Sequence, residues 1–167
     1  MKVSQTFSNF FLDHLEIRFP ELKDFGAYNI YDSEFQFDQA IDNFCFSLFI
    51  NTINTRVKNI NYGCIINSFY KDSLPIGLHN YESHRDKKIK NHWLFIMSRC
   101  DSFDGGDLML LSKPPRFDIF SSPPSYKKIH TKPNHILETD PSQYRLFDCI
   151  KSCMDYIFHV NIFTFDD

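Results

Sequence analysis

YGCIINSFY (Tyr62–Tyr70), HWLFIMSRC (His92–Cys100) and DLMLL (Asp107–Leu111) are the stretches that decide the fold. Each is short, apolar and rich in side chains that suit a pleated, half-buried surface. RFDIF (Arg116–Phe120) and YIFHVNIFTF (Tyr156–Phe165) share this texture. Turn formers separate them: Asp72-Ser73, Asp104-Gly105-Gly106, Pro114-Pro115, Pro123-Pro124, Pro133-Asn134 and Asp140-Pro141. Short strands at roughly ten-residue spacing with such punctuation predict a sandwich or jelly roll. At Gly105-Gly106, two glycines predict a tight turn that uses positive φ without steric cost.

Working outward, the region before Asn59 reads differently. Phe7, Phe10, Phe11 and Leu15 recur at helical spacing, which predicts a helix from Ser4 to about Ile17 that Pro20 limits. Ser33 and Gln36 have capping-box spacing, so a second helix is expected from Ser33 to about Val57. Its stripe of Phe37, Ile41, Phe44, Cys45, Leu48 and Phe49 reads as core packing against a sheet. Helices first and strands after argue against alternating βαβ units. The expected class is α+β: two N-terminal helices (1–58) packed on a double-stranded β-helix, or jelly roll (59–167). At 167 residues the chain is long enough for one domain with a real core.

Composition narrows the function. A formal net charge of −3 argues against a general nucleic-acid binder. Cys45, Cys64, Cys100, Cys149 and Cys153 are odd in number, and MKVSQTFSNFF has no cleavage-site pattern, so free thiols in an intracellular, cytoplasmic or nuclear, compartment are expected. No apolar run approaches the roughly 20 residues of a membrane span. Phosphate-loop, dinucleotide-binding and hydrolase-elbow glycine motifs do not occur. The run from Arg85 to Lys90 reads as a solvated loop, interrupted by Asp86.

The sharpest chemical feature is His84-Arg85-Asp86. A His and a carboxylate two apart on an extended segment project to one side. With a distant second His they form the facial triad of non-haem Fe(II) oxygenases. Alone, H-x-D arises often by chance. Its context adds weight: INSFYKDSLPIGLHNYESHRD precedes it, and an apolar strand and SFDGGDLMLL follow. This order resembles the 2-oxoglutarate/Fe(II) oxygenase superfamily, especially its prolyl-hydroxylase-like branch. The resemblance covers about Asn59 to Phe165. It implies a jelly roll, Fe(II), 2-oxoglutarate, an H-x-D pair, a distal metal His and a basic residue for the far carboxylate of 2-oxoglutarate.

Several positions depart from that pattern. Counted from Tyr70, His79 sits nearer the family's spacing than His84, but His79-Asn80-Tyr81 offers no carboxylate. The distal His position falls on Arg145 and the basic position on Asp155. A guanidinium stays protonated and cannot ligate a metal, and Asp155 repels a dicarboxylate. His130, His135 and His159 read as surface or packed histidines, and Lys151 is the nearest candidate for an unusual cosubstrate anchor. A kept scaffold with eroded ligands is similar to the amino-terminal domain of poxvirus immune-evasion proteins. That resemblance implies a non-catalytic protein that binds a host protein, with no cofactor. The alternatives are an active 2-oxoglutarate/Fe(II)-dependent hydroxylase using His84 and Asp86, and a structural jelly-roll protein.

Overall fold

The last strand of the chain organises the molecule. In the computed structural model, which describes residues 2–20, 28–53, 61–70, 72, 75–115 and 125–165, every residue from Ile157 to Phe165 is buried. A strand buried on both faces needs a cover on each. The elements that supply it are α1 (Gln5–Arg18), β1 (Tyr28–Asp32), α2 (Gln39–Ile53), β2 (Tyr62–Phe69), β3 (Ile76–His79), β4 (Ser83–His84), β5 (Lys87–Ser98), β6 (Asp104–Gly105), β7 (Leu108–Leu111), β8 (Tyr126–Ile129), β9 (His135–Thr139), β10 (Arg145–Phe147), β11 (Ile150–Ser152) and β12 (Ile157–Phe165).

β12 lies between β2 and β5, antiparallel to both, in a six-stranded sheet ordered β1-β2-β12-β5-β4 with β9 also on β5. A four-stranded sheet, β3-β10-β7-β8, faces it, and β11 pairs with β6. Period-two alternation divides the core. Phe158, Val160 and Ile162 point to the helices, against Phe11, Leu15, Phe44 and Leu48. Ile157 points between the sheets, with Phe69, Leu94, Ile96, Leu108, Leu110 and Phe147. Phe11 stacks on Phe44 at 3.9 Å between ring centroids, and the Phe49 ring meets Trp93 edge-on at 5.1 Å. The helices thus cap the outer face of one sheet, while the second sheet closes the jelly roll.

Both helices form, with boundaries that side-chain caps explain. Ser4 Oγ accepts from Phe7 N at 3.3 Å and starts α1. The start of α2 differs from the expectation at Ser33. Residues 33–35 form a turn, and Ser33 Oγ accepts from Cys64 N of β2 at 2.9 Å. Asp38 takes the capping role, its Oδ1 accepting from Ala40 N at 3.0 Å and Ile41 N at 3.2 Å. Phe37 therefore falls outside the helix and stands 75 % exposed rather than joining the apolar stripe. Val57 and the expected strand Arg116–Phe120 lie outside the described residues. Cys149 and Cys153 flank β11, and all five cysteines are free thiols. Gly105 and Gly106 have φ of +84° and +67°, as the turn reading requires. No helix among the described residues is long and apolar enough to cross a membrane.

Candidate functional site

Arg145, expected from the resemblance to stand where a metal-binding His would be, lies between the two sheets. β10 pairs with β3 so that Arg145 stands opposite His79. Alternation along RLF turns Arg145 and Phe147 inward, and Arg145 is fully buried at 0 % exposure. Its guanidinium is held by neutral groups only. Nη1 donates to Thr139 Oγ1 at 2.5 Å and to His92 Nδ1 at 2.8 Å, and Nε donates to Gln143 O at 3.2 Å. Nη2 donates to Asp140 O. The guanidinium carbon lies 5.2 Å from the centre of the Tyr81 ring. No carboxylate forms an ion pair with Arg145 among the described residues.

Histidines surround this buried charge. Because Arg145 can only donate, His92 Nδ1 must present its lone pair. The proton then sits on Nε2 and is donated to Asn161 Oδ1 at 3.0 Å. His159 is wedged between Phe69 at 4.4 Å and Phe147 at 4.6 Å, and neither ring nitrogen has a hydrogen-bond partner. His79 Nδ1 pairs with Gly77 O at 2.7 Å, while its Nε2 is buried and unpartnered. Burial, and secondarily the charge of Arg145, pushes His92 down to about 3. Burial, reinforced by His79, does the same to His159. His79 is also lowered, by burial first and by Arg145. Tyr81 is pushed up to about 12 by burial, against the pull of Arg145. The interior is a set of neutral imidazoles and a protonated phenol around one guanidinium.

The other expected site residues are dispersed. Arg85 and Asp86 have φ of +54° and +56°, forming the two-residue turn of a hairpin in which His84 pairs with Lys87. The extended geometry that would set His84 and Asp86 side by side is absent, so His84 is buried while Asp86 is exposed. His84 Nε2 instead meets Asp32 Oδ1 at 2.9 Å and Glu34 Oε2 at 3.9 Å. Lys151 is exposed on β11, in an open cleft with Lys2, Asp104, Lys128 and Lys132, away from Arg145. Asp155 lies before β12, 3.6 Å from Arg99, in a network that reaches Glu16 and Asp13 of α1. His130 pairs with Asp107 at 3.2 Å on the surface, and His135 with Pro133 O at 2.7 Å. Asp32, Glu34, His92 and Tyr81 escaped the sequence reading as site residues. Asp32 sits 52 residues from His84, and no local spacing links them.

A divalent cation with 2-oxoglutarate does not fit the residues around His79. A metal there would lie beside the buried Arg145 charge, which no carboxylate among the described residues pairs directly. Tyr81 keeps its proton and is a poor ligand in that form. Asp155, expected from the resemblance to stand at the cosubstrate's basic position, is paired with Arg99 near α1.

No protein-family model matches the chain, and no curated protein matches it. Among solved structures, a prolyl-4-hydroxylase from Pseudomonas putida aligns over 99 % of this chain and 89 % of its own, with a TM-score of 0.56 at 6 % identity. A 2OG-Fe(II) oxygenase family oxidoreductase from Burkholderia pseudomallei aligns over 77 % of this chain at 18 % identity and a TM-score of 0.44; this chain spans about half, 51 %, of its length. A cupin superfamily protein from Desulfitobacterium hafniense aligns over 66 % of this chain and 72 % of its own, with a TM-score of 0.36 at 13 % identity. The chain has the helix-supported jelly-roll fold of the prolyl-4-hydroxylase.

Proposed function

We propose that this chain is a non-catalytic oxygenase-fold protein that acts by binding another protein, a host protein in the manner of the poxvirus immune-evasion proteins it resembles. One observation carries the reading. Arg145, read from the resemblance as standing where a metal-binding His was expected, is fully buried and held by Thr139, His92, Gln143 and Asp140. A buried guanidinium held by four hydrogen bonds fills this interior position with a cation, which a metal ion would have to displace or sit beside. The alternative enzyme built on His84 and Asp86 has weaker support, because the hairpin turn separates their side chains.

Partner binding draws support from two aromatic side chains in the segment between β1 and α2. Phe35 is 82 % exposed and Phe37 75 %. Large aromatic side chains are favoured anchors of protein interfaces. The catalytic half of the proposal is tested with the purified protein, Fe(II), ascorbate and 2-oxoglutarate labelled at its first carbon. No labelled carbon dioxide above the buffer rate is expected. Release that disappears in His79→Ala or His84→Ala would overturn the proposal. Replacing Phe35 and Phe37 together by Ser is expected to weaken capture of the partner at least tenfold while leaving the unfolding midpoint unchanged.

A further inference from the structure

Outside the Arg145 cluster, the turn after β1 and the hairpin before β5 bring three metal-ligating side chains together. Asp32, Glu34 and His84 each offer one ligand atom, and these atoms lie within 4.8 Å of one another. His84 Nε2 is 2.9 Å from Asp32 Oδ1 and 3.9 Å from Glu34 Oε2. Oxygen and nitrogen ligands about 2.1 Å from one divalent ion stand roughly 3 to 4 Å apart, so the spacing needs little adjustment.

The fold holds the imidazole in this place. The His84 side chain is only 3 % exposed. Its ring lies 5.4 Å from Phe163 and 6.0 Å from Phe165, centre to centre. It rests directly on Gly63 of β2, where an added Cβ would come within 2.8 Å of His84 Nδ1 and 2.9 Å of Cε1. The glycine therefore forms a cradle that only a residue without a side chain provides, and the ring it holds aims Nε2 at the two carboxylates. No Lys or Arg pairs with Asp32 or Glu34 among the described residues. The Arg85 guanidinium on the adjoining hairpin turn donates Nε to Ser33 O at 2.9 Å. Two carboxylates thus face one buried imidazole, a donor set of mixed nitrogen and oxygen suited to a divalent transition-metal ion.

We propose that Asp32, Glu34 and His84 bind one such ion, which clasps the β1–α2 turn to the β4–β5 hairpin. None of the site's three residues shares a hydrogen bond with Arg145. The site makes no claim on 2-oxoglutarate.

Mn(II) is the probe, because thiolates are poor ligands for it and the five free cysteines then do not compete. Free Mn(II) is titrated by electron paramagnetic resonance against the full chain. One bound ion per chain is expected, with a rise in the thermal midpoint on saturation. Glu34→Gln, on a partly exposed side chain that leaves the core untouched, should weaken binding at least ~10-fold. His84→Asn should abolish binding, and His79→Ala should not alter it. 2-Oxoglutarate should leave the affinity unchanged. Absence of bound Mn(II) at millimolar concentration would overturn the proposal and leave a His84–Asp32 pair only. Binding that Glu34→Gln does not weaken would overturn it as well, by placing the ion elsewhere.

Discussion

Replacing Gly63 by Ala tests whether the His84 cradle is built as described. Gly63 has ordinary strand backbone, so the substitution costs nothing in φ and acts through space alone. The new methyl group would stand 2.8 Å from His84 Nδ1, 2.9 Å from His84 Cε1 and 3.1 Å from Phe165 Cζ. The first two contacts are closer than Cβ atoms tolerate, and neither neighbour is the free end of a flexible chain. His84 is walled in by Phe163 and Phe165 and tied to Asp32. Overpacking of this kind costs about 1–3 kcal/mol. For a chain of this size that is a fall in midpoint of roughly 2–10 °C. Urea unfolding of Gly63→Ala, His84→Ala and the double variant supplies the assay. Removing the ring makes room for the methyl group, so the double variant should be more stable than the sum of the single effects predicts, by at least about 1 kcal/mol. If Gly63→Ala unfolds at the wild-type denaturant concentration, or if the two effects simply add, the ring does not rest on Gly63 and the cradle argument fails.

Further outcomes follow from the interior. Arg145→Ala leaves Thr139, His92 and two carbonyls without their donor and opens a cavity, so it should cost about 2–5 kcal/mol; Arg145→Met, which fills the space without a charge, should cost less. The pH dependence has a defined sign. His92 and His159 are held near 3 in the fold, below the ordinary value of 6.5. Between those values the unfolded chain binds protons that the folded chain refuses. Stability is therefore present above pH 6.5 and is lost as pH falls, by up to about 1.4 kcal/mol per pH unit for each histidine. Equilibrium unfolding between pH 6 and 5 reads this slope before most carboxylates titrate, and His159→Phe should reduce it by one histidine's share. Asp155→Arg installs the basic residue of the oxygenase pattern but places it beside Arg99; it should confer no 2-oxoglutarate binding and lower stability by at most about 1 kcal/mol.

The fold was legible where strands are long or buried. β2, β5, β7 and β12 declared themselves because two-sided burial makes them apolar runs. β8, reading YKKI, and β10, reading RLF, did not, since each is short and one is an exposed edge. β1 was hidden because its partner, β2, lies beyond α2 in sequence. Within the site, Arg145 and Asp155, singled out in the sequence as departures, have divergent fates: one is sealed in the core and the other pairs with Arg99 beside α1. His84 and Asp86 were misjudged geometrically because an extended reading places them on one side, whereas Arg85 and Asp86 both adopt left-handed backbone. The real neighbours of His84 come from a turn that no local spacing could reveal.

The most direct test of the non-catalytic account is calorimetric titration of 2-oxoglutarate into the Mn(II)-loaded protein. The account predicts no binding heat at millimolar 2-oxoglutarate. Micromolar binding that is lost on His79→Ala or Arg145→Ala would contradict it, because the interior would then hold a working cosubstrate site.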